Sequence, residues 1–219
     1  MKVTKIKNAT ILNVDCMEYM KTLPDKFFDL AIVDPPYGIG MDGQIGSNKL
    51  AIAKKYLKKQ WDKKPPDRDY FDCLFVISKN QIVWGANYYP SYFKASMGWI
   101  FWDKDASADF SDGELAYTSF DRALKKYNFA WMGMRQGNMK NKEERIHPTQ
   151  KPVKLYEWIL TNYAKTGQTI FDSHMGSGSS AIACNNLGFE YVGCELDEDY
   201  YEAACKRIAH HASQKRLFE

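Results

Sequence analysis

The chain has 219 residues, 45% of them apolar and 26% charged, and a formal net charge of +3. That length suffices for one domain with a sizeable core, and the composition is that of a soluble globular protein rather than a disordered, fibrous or disulfide-built one. So mild a charge does not by itself announce a polyanionic partner, and the apolar runs are too short to span a bilayer.

The N-terminus, Met1-Lys2-Val3-Thr4, lacks the apolar run of a secretory signal, and Cys16, Cys73, Cys184, Cys194 and Cys205 are scattered with no Cys-x-x-Cys. The expectation is a cytoplasmic protein with reduced thiols, no membrane association and no zinc site. His147, His174, His210 and His211 show no metal-ligand spacing either, so no metal is expected.

Residues 3–13 alternate loosely and predict one or two short strands. Asp15 stands at an N-cap position, and Met17, Met20 and Leu23 follow at helical spacing until Pro24. Leu30-Ala31-Ile32-Val33 is a continuous apolar run, the pattern of a buried parallel strand. It stops on Asp34-Pro35-Pro36-Tyr37. Each proline fixes its own φ and restricts the residue before it, so this is a stiff polar corner at the carboxyl end of a strand. In open α/β sheets ligands bind at that end.

Such a corner suits methylation of an exocyclic amino group on a nucleobase. The amine is a poor nucleophile because its lone pair is delocalised into the ring. The Asp34 carboxylate and the Pro35 carbonyl can each accept one of its N–H groups and turn the lone pair towards an electrophilic methyl. Tyr37 can stack on a base taken out of its helix. A strand-end turn with a capping acid accounts for the four residues equally well, so the rest of the chain must decide.

Gly38, Gly40, Gly43 and Gly46 predict a mobile loop. Lys49, Lys54, Lys55, Lys58, Lys59, Lys63 and Lys64 follow, interleaved with Tyr56 and Trp61, until Pro65-Pro66. Residues 38–66 read either as a basic flap that grips phosphates or, in part, as a solvated helix face. A helix is predicted over Tyr70–Ser78, and strands over Gln81–Gly85, Trp99–Asp103, Leu115–Phe120 and Asn128–Met132. Residues 133–146, with Arg135, Lys140, Lys142 and Arg145, predict an exposed loop or hairpin, either a minimal recognition insert or plain surface.

His147-Pro148-Thr149-Gln150-Lys151-Pro152 leads into a helix over Val153–Ala164. Thr149 and Lys151 stand near its positive N-terminus, a seat for a carboxylate. A strand over Thr169–Asp172, a turn with Gly176 and Gly178 and a helix over Ala181–Leu187 make a cofactor cradle. Glu195 ends the next strand about twenty residues after the glycines, where ribose hydroxyls are usually held, and a helix opens at Asp197. No third glycine stands at dinucleotide spacing and no P-loop is present, so a nucleoside cofactor fits best.

The ordered set Asp34-Pro35-Pro36-Tyr37, His147 to Pro152 and Asp172 to Ser180 resembles the circularly permuted (beta-group) S-adenosylmethionine-dependent DNA amino-methyltransferases. More narrowly it is similar to the small N6-adenine/N4-cytosine enzymes of phages and mobile elements, from Ile11 to about Ile208. The resemblance implies an α/β, Rossmann-like class I methyltransferase fold. Its sheet would be mixed and seven-stranded, with helices on both faces, in a single domain over 1–219.

The resemblance also implies roles. Asp34, Pro35, Pro36 and Tyr37 would be catalytic, with Asp34 beside the S-adenosylmethionine as well. Asp172, Gly176 and Gly178 would hold its methionine part, with Ser179 and His174 alongside. Thr149 and Lys151 would seat its carboxylate, Glu195 its ribose hydroxyls, and Asp15 with the Cys16 backbone its adenine ring. Ser173-His174 depart from the Pro-Phe or Pro-Cys of the family, which puts the contact of His174 with the sulfonium in doubt. Asp at the first catalytic position implies adenine N6, since cytosine-N4 enzymes more often carry Ser. The expected partner is double-stranded DNA with its target base flipped out, gripped by Lys49, Lys54, Lys55, Lys58, Lys59, Arg135 and Lys140. The short Asp103–His147 region leaves little room for a recognition domain, so a homodimer and a cognate restriction nuclease are further expectations. Three rivals stay open: cytosine N4, adenine N6 in RNA, and a non-catalytic DNA-binding subunit of a modification system.

Overall fold

A computed structural model describes residues 1–43, 59–106, 111–132 and 135–214. Among these residues, eleven strands and five helices run in this order: β1 (Lys2–Ile6), β2 (Ala9–Asn13), α1 (Cys16–Met20), β3 (Phe28–Val33), α2 (Arg68–Ile77), β4 (Ser78–Trp84), β5 (Trp99–Asp103), β6 (Gly113–Thr118), β7 (Lys125–Asn128), β8 (Trp131–Met132), β9 (Arg135–Gln136), α3 (Val153–Tyr163), β10 (Thr169–Asp172), α4 (Ser179–Leu187), β11 (Glu190–Glu195) and α5 (Glu198–Ser213). Two 3-10 turns, Ala86–Tyr88 and Pro90–Tyr92, follow β4. Among the described residues, no helix is long and apolar enough to cross a membrane.

The main sheet has the order β1-β2-β11-β10-β3-β4-β6-β5-β7. Its middle, from β2 to β4, is parallel throughout. β6 runs antiparallel to both β4 and β5, and β7 is parallel to β5. The expected mixed α/β sheet is therefore present, with nine strands instead of seven. The difference lies at the edges. The N-terminal stretch folds back into the β1–β2 hairpin, and β7 is a largely exposed edge strand whose lysines carry no apolar signal. The strand expected over Asn128–Met132 is divided, because Asn128 ends β7 while Trp131–Met132 pairs with Arg135–Gln136 in a separate hairpin.

Alternation along the strands supplies two cores. Leu30 and Ile32 face one side with Leu155, Ile159, Ile182 and Ile208 of α3, α4 and α5. Ala31 and Val33 face the other with Phe71 and Leu74 of α2 and Met20 of α1. A strand buried on both faces must be apolar at every position, which is the Leu30–Val33 pattern.

One pairing positions the site. β3 and β10 are adjacent and parallel, with Leu30 opposite Ile170 and Ala31 opposite Phe171. Their carboxyl ends therefore emerge side by side, and the Asp34 corner and the glycine turn open onto one edge of the sheet.

Candidate active site

Asp34 leaves β3 with both carboxylate oxygens engaged. The Tyr37 hydroxyl donates to Oδ1 at 2.6 Å, and the Lys151 ammonium donates to Oδ2 at 2.6 Å. Lys151 also pairs with Glu114 of β6 at 2.9 Å and donates to the Tyr37 hydroxyl oxygen at 3.1 Å. The other oxygen of Glu114 is bonded to Lys104. Asp34, Lys151, Glu114 and Lys104 thus form a ladder of alternating charge. Burial pushes the Asp34 carboxyl above its ordinary range, against the pull of Lys151. Burial would raise Glu114 too, but the ammoniums of Lys151 and Lys104 hold it down at about 2. For Lys151, burial is outweighed by its two carboxylates, and its affinity for the proton is raised.

The Tyr37 ring stacks on Tyr88, with centroids 4.9 Å apart and planes 18° from parallel. The ring fits because residue 85 is glycine. A Cβ there would stand 2.1 Å from Tyr37 Cε1, and φ at Gly85 is +66°.

The glycine turn follows β10. The Gly176 N–H donates to Glu195 Oε2 at 2.9 Å, and the Asp197 N–H donates to Oε1 at 2.9 Å. Burial pushes Glu195 up to about 7. A Cβ on Gly176 would meet nothing nearer than the His147 ring, 3.8 Å away, so the backbone there is open to a ligand. His147 itself packs against Trp61 and Tyr200, with centroids at 5.1 and 4.4 Å. Burial lowers its pKa to about 3 and that of His174 to about 4, so both rings are neutral.

These elements enclose a cavity of about 600 Å³. Asp15, Cys16, Asp34, Thr149, Lys151, His174, Gly176, Ser179 and Glu195 all line it. A second cavity of about 780 Å³ adjoins it, walled by Pro35, Tyr37, Tyr88 and Glu114. Asp34, Pro36, Thr149 and Lys151 line both, so Asp34 is part of the partition between them.

Several expected residues have other places. Asp172 is 1% exposed and braces the turn from beneath. Its Oδ1 accepts the His174 N–H and its Oδ2 the Ser180 hydroxyl, at 3.1 and 2.6 Å. Burial pushes it up to about 7. Gly178, at φ +74°, lets α4 pack on α5, since a Cβ would lie 2.7 Å from Ile208 Cδ1. The Lys151 ammonium points to Asp34 and Glu114, which leaves the expected carboxylate seat without that charge.

Lys59, expected to grip phosphate, has acidic partners within the fold. It pairs with Asp197 at 2.5 Å and Asp199 at 2.6 Å, lies over the Tyr200 ring, and lines the first cavity. Arg135 is bonded to Asp105, whereas Lys140 is exposed. Lys49, Lys54, Lys55 and Lys58 lie outside the described residues. The described part of 133–146 is stitched down as well. Glu143 accepts the Val153 N–H at 2.9 Å, capping α3, and pairs with Arg207 of α5 at 2.7 Å.

Sequence reasoning missed Glu114, Lys104, Trp61, Tyr88 and Tyr200 as site residues. Glu114 and Lys104 sit in or beside strands otherwise read as apolar, and a charge there was the available signal.

Comparison with known proteins adds to this geometry. The N6_N4_Mtase family model, described as DNA methylase, matches residues 76–206. The Type II methyltransferase M.HinfI of Haemophilus influenzae is 22% identical over an alignment of 248 residues that takes in 91% of this chain and 68% of that protein. The crystal structure of the M1.HpyAVI–SAM complex superimposes with a TM-score of 0.57 at 20% identity, over 91% of this chain and 99% of that one. The PvuII DNA methyltransferase, described as cytosine-N4-specific, superimposes with a TM-score of 0.62 at 12% identity, over 98% of this chain and 89% of that one.

Proposed function

This chain belongs to the DNA methylase family, and we propose that it transfers a methyl group from S-adenosylmethionine to the exocyclic N6 of adenine in DNA. One observation carries the reading: Asp34 lines both adjoining cavities, one with the glycine turn and one with Tyr37.

The first cavity suits the cofactor. Its volume of about 600 Å³ lies in the range of small-molecule sites. Glu195 is held by two backbone N–H groups, which aim its carboxylate for a ribose diol. The open face of Gly176 allows close approach, and Asp15 and Cys16 line the same wall. Bound S-adenosylmethionine supplies a methyl activated by a sulfonium.

The second cavity suits an extruded base, with aromatic faces at Tyr37 and Tyr88. Asp34 accepts one amine N–H when the Tyr37 hydroxyl yields Oδ1, and the Pro35 carbonyl accepts the other. The amine lone pair is then turned towards the first cavity. Positioning and fixed dipoles do the chemistry. Asp34, as the acceptor of an amine N–H, can also take the proton that the methylated amine must lose.

Asp at the head of the corner supports adenine. The likeness to a cytosine-N4-specific fold favours cytosine N4 as the second reading. The order of the Asp34 corner before the glycine turn supports a circularly permuted, beta-group arrangement. The likeness to a Type II enzyme supports a restriction-modification setting, in which a cognate nuclease and a second copy of the chain are the partners to test.

The test is a nuclease digest of DNA and RNA incubated with protein and cofactor, read by mass spectrometry. N6-methyladenine in the DNA is expected. N4-methylcytosine would establish the second reading, methyladenosine in RNA alone would move the substrate, and DNA binding without transfer would make the chain a binding subunit.

A further inference from the structure

We propose that Lys151 is a positioning residue that keeps Asp34 ionised and aimed at the substrate amine, and that Glu114 in turn holds Lys151. This inference rests on the methyltransferase reading above, and it takes Lys151 away from the cofactor carboxylate.

The geometry of the ammonium carries it. The Lys151 side chain is 4% exposed. An ammonium has three donors, and here they meet Asp34 Oδ2 at 2.6 Å, Glu114 Oε2 at 2.9 Å and the Tyr37 hydroxyl oxygen at 3.1 Å. No donor is left over for a ligand. The aliphatic stem brings Nζ to 5.3 Å from the centre of the Trp84 ring and 5.5 Å from that of Tyr37, which fixes it further.

Among the described residues, six titratable groups are seen to interact with Asp34 from the elements around it. Tyr37 belongs to its own corner, Lys151 to the segment before α3, Tyr156 to the first turn of α3, Glu114 to β6, Tyr89 to the turn after β4, and Asp172 to the end of β10. Lys151 is the one cation among these six. A carboxylate buried without a counter-charge takes up a proton. A protonated Asp34 would donate a hydrogen bond where the substrate amine needs an acceptor. Glu114 completes the balance: two carboxylates and the ammoniums of Lys151 and Lys104 sum to zero. Removing Lys151 leaves Asp34 unpaired, whereas removing Glu114 lets Lys151 serve Asp34 alone.

The experiment uses the full chain in three variants, Lys151→Met, Lys151→Arg and Glu114→Gln. Three quantities are measured: the pH profile of kcat/KM for methyl transfer to DNA, the Kd for S-adenosylhomocysteine by calorimetry, and the titration of the Asp34 carboxyl in the apoprotein by ¹³C NMR, assigned with Asp34→Asn. In Lys151→Met the acid limb of the rate profile should move up by about one pH unit or more, a loss of about tenfold at the acid end, while the Kd stays near that of the parent. Lys151→Arg should restore most of the limb. In Glu114→Gln the Asp34 titration should move to lower pH, a readout that needs neither activity nor a folded Lys151→Met protein. An unmoved Asp34 titration in Glu114→Gln would overturn the ladder. An unmoved rate profile with a weakened Kd in Lys151→Met would return Lys151 to the cofactor. Should the parent chain transfer no methyl at all, the functional reading falls, and the carboxyl titration still decides the pairing.

Discussion

Asp34 and Gly176 line the same cavity, although one ends the third strand of the chain and the other follows the tenth. The cause is the parallel pairing of β3 with β10, which brings both carboxyl ends to one edge. A carboxylate at a stiff strand end and a backbone open to close approach therefore line one hollow.

Asp34→Ala is expected to lower kcat by about 10²-fold or more, the usual cost of removing a preorganised partner of the reacting group. Cofactor affinity should change little, because Glu195 and the glycine turn are untouched. Labelled-methyl transfer and calorimetry check the two halves. Near-parental turnover would remove Asp34 from the chemistry.

Glu195 carries a pH signature. Its carboxyl is raised by burial to about 7, so it is largely protonated at pH 6 and largely ionised at pH 8. An ionised carboxylate accepts from both ribose hydroxyls, so affinity for 5′-methylthioadenosine should rise as pH rises through about 7. That probe lacks the titrating amino acid of the full cofactor. Glu195→Gln should bind it more weakly and without the pH step, and a step that survives in the variant would assign it to another group.

Gly85→Ala and Gly178→Ala should fail in different ways. Both residues have left-handed φ, and both would crowd a neighbour. At 85 the Cβ meets Tyr37, so methyl transfer should fall while cofactor binding persists. At 178 it meets Ile208 between α4 and α5, so stability should fall by about 1–3 kcal/mol. Thermal melts and transfer assays on the two variants separate these outcomes.

Lys59 pairs with Asp197, whose N–H holds Glu195, so Lys59→Ala should weaken cofactor binding by at most about fivefold, the limit set by one partly exposed ion pair worth about 1 kcal/mol. Asp199→Ala releases the same ammonium from outside the cavity and should act in the same direction more weakly. Fluorescence titrations at low and high salt test both. If DNA affinity drops in Lys59→Ala while cofactor affinity holds, Lys59 is a phosphate ligand after all.

What residue order determined was local. The apolar run ending on Asp34-Pro35-Pro36, the glycine turn and the Asp15 and Asp197 caps are each written within a few neighbouring positions, because periodicity, proline and glycine act on φ and ψ where they stand. The parallel middle of the sheet also follows from such units. Tertiary structure alone decided what the charged side chains meet. Lys151 was visible as a cation before α3, but β6 had to lie beside β4 to bring Glu114 to it. Asp172 was visible as an acid at a strand end, yet Ser180 and the His174 N–H draw it under the turn. Lys59 was visible in a basic run, yet it meets two acids at the start of α5. Such pairings depend on strand order and register across segments distant in the chain, and no local propensity records them.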